Sequence, residues 1–355
     1  PIGADVLDAN GQAIGARYGD AVVDLIRRLQ PDAVIMGGTQ QDLRWSGSEQ
    51  GLAQNTVNAL MQDRQGFIWV ATQGGLHRYD GYGFQVFQHH PEQADSLPES
   101  FVTALAQGED GRLWVGTNTH YVAEFDPVSS RRVGALHGFR RGERRDMVTA
   151  LLYQPGRGLW VGTGAGIELY DPVGGARREV LRFTGDPDDD PTVGALHLDQ
   201  AGRLWAATTT EGLYRIGADL RPERIGMLES TFALWADRDQ ALWVGASDGV
   251  HRLDRDSLSL RRMWPTDGQA GVPGAHGVRA VVGDGRGRLW LVLWHRGLVR
   301  FDPASSQALE IVYDPEVPAS LPEQRLTAAM IDHSGLLWLG GEVRGLATTH
   351  PDGAP

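Results

Sequence analysis

Short apolar runs alternate with turns along most of the chain. Residues 63–81 show the unit: a turn at 63–66, an apolar run at 67–72, a second turn at 74–75 and an alternating apolar and polar stretch at 76–79. Aspartate bonds its own backbone and glycine accepts a positive φ, so both residue types favour turns. The apolar run is rich in aromatic and β-branched residues, and the period-two stretch follows a tight turn. The pattern therefore predicts two neighbouring β-strands.

The same unit occurs seven times, and a tryptophan marks the apolar run of each copy. Successive tryptophans are 38 to 48 residues apart, at Trp69, Trp114, Trp160, Trp205, Trp243, Trp290 and Trp338. A period near 45 residues with strand-only content is typical of β-propeller blades rather than of a helical solenoid. Each repeat before the last divides into four strands; in the second we expect them at about 102–107, 112–116, 122–125 and 132–137. The flanking Leu and Val residues favour the tryptophans as core between blades rather than as carbohydrate stackers.

The seventh repeat supplies only three strands, at 326–331, 336–340 and 346–349, and the chain ends in a Pro- and Gly-containing segment that cannot continue as a central strand. An open edge would expose unpaired backbone groups. Residues 42–46, just before the first repeat, are the natural fourth strand of the last blade. We therefore predict an all-β fold over 41–355, a seven-bladed β-propeller of four-stranded blades whose ring is closed by residues 42–46.

Residues 1–40 differ from the repeats and form a predicted helix and strand appendage. Apolar residues at helical spacing predict a helix over 18–30, and a short strand follows at 33–36. The text RRLQPDAVIMGG, continuing to DLRWSGSEQG, resembles a stretch of bacterial α-L-fucosidases, and Asp8 lies roughly where that family has its nucleophile. A fucosidase (β/α)₈ barrel needs about 200 residues or more, and no second carboxylate segment follows. We interpret the segment as a barrel remnant, a fusion scar or part of a chimeric gene, so fucosidase activity is only an alternative.

Composition and charge exclude several classes of partner and of chemistry. The chain has 355 residues, a formal net charge of -12 and a pI of about 5.4, which argues against nucleic acid or anionic membranes as partners. It contains no cysteine, so disulfides and thiol chemistry are excluded. No run of 18 apolar residues is present, so no segment is expected to cross a membrane. Because the sequence starts at Pro1 and not at Met, we expect a leader or anchor upstream.

From Gly51 the sequence resembles the first blade of the two-component regulator propeller family, and the repeats extend the resemblance over about 51–355. The matching residues are Gly51, Leu52, Asn55, Val57, Asp63, Gly66, Trp69, Thr72, Gly75, Leu76, Tyr79, Asp80, Gly81, Ser96, Leu97 and Pro98. Members of that family are extracytoplasmic sensor domains of hybrid histidine kinases and of some diguanylate cyclases. The resemblance implies a non-catalytic sensor on the periplasmic or extracellular side of a bacterial inner membrane. It also implies a histidine kinase or diguanylate cyclase output domain outside this chain and no cofactor.

Loops at one face of the channel carry function in most propellers. In four-stranded blades the second-to-third turn and the blade-to-blade loop open on the same face. The blade-to-blade loops contribute Asn55, Glu99, Met147, Ser230 and His276. The predicted ligand-binding residues are Gln73, His120, Glu211, Asp248, Trp294, His295, Arg296, Arg325 and Arg344.

The sixth repeat departs most from the pattern, because LWLVLWHRGL replaces the usual LWVGT followed by GL. Trp294 can stack on a sugar ring, and arginine or histidine can hold a carboxylate or hydroxyl. The alternative is that Trp294 merely packs on the neighbouring blade. An oligosaccharide or another small ligand is expected here, and a homodimer is left open.

Metal-binding and catalytic sites are weaker interpretations of the sequence than a ligand-binding site. The Asp-x-x-Gly turns at Asp63, Asp199, Asp284 and Asp332 favour a structural role over calcium binding, as does the acidic loop 186–190. A sialidase needs three arginines above a Tyr–Glu pair, and Arg296, Arg325 and Arg344 have no evident tyrosine. No Ser-His-Asp set or metal-ligand spacing is found. We therefore expect no catalytic residue and no metal; a carbohydrate-active enzyme and a protein–protein scaffold remain alternatives.

Overall fold

The computed structural model describes residues 44–119, 122–136, 147–183, 191–226, 228, 230–254, 257–265, 277–314, 320–321 and 323–351. Within these ranges, 28 strands form seven four-stranded antiparallel sheets. Each sheet is one blade, and the first strands of successive blades pack against one another around the ring. The predicted all-β, seven-bladed β-propeller is confirmed. The appendage at 1–40, with its helix at 18–30, lies outside the described residues and stays a prediction.

The strands follow the repeats. Blade 1 contains β2 (Val57–Gln62), β3 (Ile68–Thr72), β4 (Gly75–Tyr79) and β5 (Phe84–Phe87), and blade 2 contains β6 (Val102–Gln107), β7 (Leu113–Thr117), β8 (Val122–Asp126) and β9 (Arg131–Leu136). Blade 3 contains β10 (Val148–Gln154), β11 (Gly158–Thr163), β12 (Gly166–Tyr170) and β13 (Arg177–Arg182), and blade 4 contains β14 (Val193–Leu198), β15 (Leu204–Thr208), β16 (Gly212–Ile216) and β17 (Pro222–Ile225). Blade 5 contains β18 (Thr231–Ala236), β19 (Leu242–Ala246), β20 (Gly249–Leu253) and β21 (Leu260–Trp264), and blade 6 contains β22 (Val278–Gly283), β23 (Leu289–Leu293), β24 (Gly297–Asp302) and β25 (Gln307–Ile311). Blade 7 contains β26 (Leu326–Ile331), β27 (Leu337–Gly341), β28 (Leu346–Thr349) and β1 (Arg44–Ser46).

The ring closes with a strand from the other end of the chain. Strand β1 pairs antiparallel with β28, with Arg44 opposite Thr348 and Ser46 opposite Leu346. A short 3-10 turn, Ser48–Gln50, then leads into blade 1. The Thr327 hydroxyl donates to the carbonyl of Val57, which joins the inner strands of the last and first blades. Every blade therefore has four strands.

Within the described residues, no helix has the length and apolar character needed to span a bilayer.

The repeat tryptophans are buried between blades. All seven are at most 6% exposed, and Trp69 packs edge-on against Phe125 of the next blade with ring centroids 5.9 Å apart. The second strands that carry them are buried at every position, because a blade covers each of their faces. This confirms that the tryptophans form the core between blades.

A buried hydrogen bond fixes most of these tryptophans. In five blades the indole Nε1–H donates to an aspartate six residues earlier, at 2.7 to 3.3 Å; the aspartates are Asp63, Asp199, Asp237, Asp284 and Asp332. In blade 3 Gln154 takes the same role for Trp160, at 2.8 Å. The other carboxylate oxygen accepts backbone N–H groups of the turn, as Asp63 does from Gln65 and Phe67. The aspartate turns are thus structural, and they couple each turn to the core.

Candidate functional site

The second-to-third turns and the blade-to-blade loops meet on one face of the disc. The N–H of Gln73 donates to the carbonyl of Thr56 at 3.3 Å, and the N–H of Trp294 donates to that of Gly277 at 2.9 Å. Equivalent bonds join the two loops in blades 2, 4, 5 and 7. The expected sharing of a face is therefore confirmed, and we call this face the channel mouth.

A β-bulge lies at the second residue of every inner strand. The register shifts there in all seven blades, and five of the bulged residues are small or polar: Asn58, Thr103, Thr149, Gly194 and Thr327. Asn58 Nδ2 donates across the blade boundary to the carbonyl of Val102 at 2.7 Å. The bulge thus directs a side chain toward the next blade around the channel mouth. In blades 5 and 6 the residues are instead Phe232 and Arg279.

These two side chains surround Trp294. The Phe232 and Trp294 ring centroids are 6.0 Å apart, and the Arg279 guanidinium carbon lies 4.9 Å from the Trp294 ring centroid. His295, which has a φ of 57°, follows in the turn, and its ring centroid is 5.8 Å from that of Trp294. Trp294 is nevertheless 44% exposed, in contrast to the buried repeat tryptophans. It both packs on the neighbouring blade and presents indole surface to solvent.

Charge beside Trp294 is shared between blades 6 and 7. Glu342 lies 3.7 Å from the Arg279 guanidinium and 3.4 Å from that of Arg325. Burial lowers the pKa of Arg279, and the neighbouring Glu342 opposes that effect. One carboxylate thus serves two guanidiniums, which leaves positive charge available for an anionic or hydroxyl-rich group.

A second glutamate holds the turn of blade 7. The Glu323 carboxylate accepts the backbone N–H groups of Glu342, Val343 and Arg344 at 2.7 to 3.2 Å. A Cβ at Gly341 would overlap the Glu323 carboxylate, so this glycine makes room for it. Burial raises the pKa of Glu323. The carboxylate fixes the backbone that carries Glu342 and Arg344 at the channel mouth.

The remaining predicted residues are not brought to Trp294. Glu211 accepts the Tyr214 hydroxyl at 2.7 Å, and burial together with this bond raises the pKa of Tyr214 to about 12. Asp248 lies 2.8 Å from His251 Nε2, and this bond is the largest cause of the lowered pKa of Asp248. The Arg296 guanidinium lies 3.4 Å from Glu310 on the outer strand of blade 6. Each of these side chains has a partner within its own blade.

Gln73 and Arg344 are exposed on turns of blades 1 and 7. His120 and His276 lie outside the described residues. The cluster at the channel mouth therefore contains Trp294, His295, Arg325 and Glu342, all on loops that the sequence places at this face, and adds Phe232 and Arg279. The sequence did not indicate Phe232 and Arg279. Alignment of the inner strands could have found them, because other blades have Asn, Thr or Gly there.

Comparison with known proteins supports the repeat assignment. The two component regulator propeller family matches residues 51–74 and 96–119. Histidine kinase P4 of Formosa agariphila is 38% identical over 47 residues, which are 13% of this chain and 3% of that protein.

Solved structures share the fold at low sequence identity. The extracellular domain of a protein described as hybrid two component system BT3049, from B. thetaiotaomicron, has a TM-score of 0.71 and 18% identity, over 87% of this chain and 41% of that one. An inactive virginiamycin B lyase from Staphylococcus aureus has a TM-score of 0.66 and 14% identity, over 86% of this chain and 98% of that one. Such identities show the fold alone. The chain spans less than half of the two-component domain and a small fraction of the kinase. The resemblance to the two-component regulator propeller family is thus confirmed over residues 51–74 and 96–119 of a chain that folds as a seven-bladed β-propeller.

Proposed function

We propose that this propeller is a non-catalytic, extracytoplasmic sensor module that binds a ligand at the channel mouth and signals to an output domain outside this chain. The repeat family, the kinase segment and the extracellular structural relative support a signalling context. The output domain is a histidine kinase or a diguanylate cyclase, as in the family that the repeats resemble.

One observation carries the binding site: a half-exposed tryptophan is held rigidly where the blade pattern departs from its neighbours. Phe232 and Arg279 contact Trp294, and Glu342 holds Arg279. Because these contacts restrict the indole before binding, a ligand that stacks on it loses little additional side-chain entropy. The apolar face of a sugar ring suits the exposed indole, and its hydroxyl or carboxylate groups suit Arg279 and Arg325. The ligand class is an oligosaccharide.

Position suggests how binding reaches the rest of the protein. Phe232, Trp294 and Glu342 belong to blades 5, 6 and 7, so a ligand at this cluster contacts three consecutive blades. A rigid disc responds to such a ligand by a shift at its interface with a neighbouring domain, provided that the ligand binds one arrangement more tightly. Signalling then requires no chemical step at the propeller.

Isothermal titration calorimetry with neutral and acidic oligosaccharides tests this site. Trp294→Ala should weaken binding by about 2 kcal/mol, roughly 30-fold, as expected for an aromatic anchor. Tyr82→Ala is the matched control, because Tyr82 is 98% exposed on the third-to-fourth strand turn of blade 1. Equal losses in both variants, or no loss in Trp294→Ala, would contradict the site. Turnover of a nitrophenyl fucoside by the wild-type chain would instead favour the enzyme alternative.

A further inference from the structure

A second concave surface lies between blades 5, 6 and 7, away from the channel mouth. Its walls are the turns between the first and second strands of these blades, at 237–240, 284–287 and 332–335. These turns connect the opposite ends of the inner strands from the blade-to-blade loops, so they lie on the other face of the disc. The groove has a volume of about 880 Å³, within the range of ligand sites. We call it the opposite-face groove.

A glycine gives this groove an aromatic wall. Gly283 ends the inner strand of blade 6, and a Cβ there would overlap the indole ring of Trp235 from blade 5. The other six blades have larger residues at the equivalent position: Gln62, Gln107, Tyr153, Leu198, Ala236 and Ile331. Trp235 is only partly buried and lines the groove beside Met263 and Pro303. The pairing of Trp235 with Gly283 thus places indole surface where the other blade boundaries have no tryptophan.

Two guanidiniums line the same groove as that indole. Arg238 and Arg252 both line the groove and are exposed, and neither forms an ion pair within the described part of the chain. The Arg252 guanidinium carbon lies 5.9 Å from the Trp243 ring centroid, which orients it by a cation–π contact.

Three of the four aspartates that line the groove accept hydrogen bonds from tryptophans of the core. Asp237, Asp284 and Asp332 each accept an indole N–H, so these acids belong to the core bonds described above. Asp239 is the remaining acidic residue of the wall. Arg286 also lines the groove, so three arginines stand against four aspartates, and Asp284 is paired with Arg288 at 2.7 Å. Arg238 and Arg252, which form no ion pair within the described residues, are the guanidiniums available to a ligand carboxylate.

We propose that the opposite-face groove is a second ligand site, which takes a small ring bearing a carboxylate, of the size of an acidic mono- or disaccharide. The ring stacks on Trp235, and the carboxylate is held by Arg238 and Arg252. An indole face beside guanidiniums is the combination that recognises an anionic ring, because stacking supplies contact area and the cations select the charge. This site does not depend on the function proposed for the channel mouth.

Ligand-observed NMR and calorimetry test the groove with glucuronate, galacturonate, digalacturonate and benzoate, and with glucose as the neutral comparison. We expect the acids to bind and glucose not to bind, with affinity falling as salt rises. Arg238→Gln should weaken binding about 10-fold, and Arg252→Gln should act in the same direction. Arg261→Gln is the matched control, since it removes the same charge from the exposed outer strand of blade 5.

The outcomes separate the two sites. Trp294→Ala should leave acid binding at the groove unchanged, whereas Arg238→Gln should leave the channel-mouth ligand unaffected. Absence of binding by all four acids, equal binding of glucose, or equal affinities for Arg238→Gln and Arg261→Gln would each overturn the proposal. Circular dichroism of each variant verifies that the fold is intact.

Discussion

The buried bond between Asp63 and Trp69 should be a major source of stability for blade 1. Asp63 is 1% exposed, and its carboxylate accepts Trp69 Nε1–H at 2.7 Å and the N–H groups of Gln65 and Phe67 at 2.9 and 3.0 Å. Asp63→Ala removes all three acceptor contacts. The backbone donors lie in a turn that water can reach, but Trp69 is fully buried, so its indole N–H is left without an acceptor.

The magnitude follows from these environments. An unsatisfied buried donor costs about 1–3 kcal/mol, and each lost turn bond costs about 0.5–1.5 kcal/mol. We therefore expect Asp63→Ala to lower the free energy of unfolding by about 3–4 kcal/mol. Asp63→Asn should cost less, because its amide oxygen can still accept one set of bonds.

Urea unfolding followed by circular dichroism measures the change. Asp126→Ala is the control: Asp126 accepts bonds from the Val128 N–H and the Ser129 hydroxyl in an exposed turn, so its loss should cost only the two turn bonds, about 1–2 kcal/mol, without the cost of an unsatisfied buried donor. If the two alanine variants have the same free energy of unfolding, the indole bond does not stabilise the blade and the reasoning is wrong.

Two further predictions concern the closure of the ring and a buried histidine of blade 1. Removing residues 1–47 deletes β1 and exposes the edge of β28, so the melting temperature should fall and aggregation should increase. Removing residues 1–40 retains β1 and should leave the melting temperature unchanged. Equal melting temperatures for the two truncations would contradict the closure. His77 Nε2 accepts the N–H of Ala53, and burial lowers the pKa of His77 to about 4. Because the unfolded pKa is about 6.5, the stability from neutral His77 is present above pH 6.5 and is lost toward pH 4, by about 3 kcal/mol in total. Between pH 7 and 4 the free energy of unfolding should therefore fall more steeply with decreasing pH for wild type than for His77→Gln. The same pH dependence in both proteins would refute the assignment.

The sequence by itself determined the architecture. Period-two runs, glycine turns and seven buried tryptophans are local features, and each repeat carries enough of them to specify its strands. The seventh repeat supplies three strands where the others supply four, and an unpaired edge is unfavourable, so a fourth strand could be inferred. In the structure β1 pairs with β28 at that position. Strand ends differed by about a residue, as in β7, because the pairing register and not the composition sets where a strand ends.

Only the tertiary structure decided which side chains meet. Phe232 and Trp294 are 62 residues apart in sequence and come together because a bulge in blade 5 directs one toward the turn of blade 6. The same geometry places Arg279 beside Trp294, while Asp248 and Arg296 are paired within their own blades. Trp235 and Gly283 likewise meet only across a blade boundary. Repeat patterns specify strands because strand formation depends on neighbours in sequence, whereas a site between blades depends on packing between side chains that no local pattern relates.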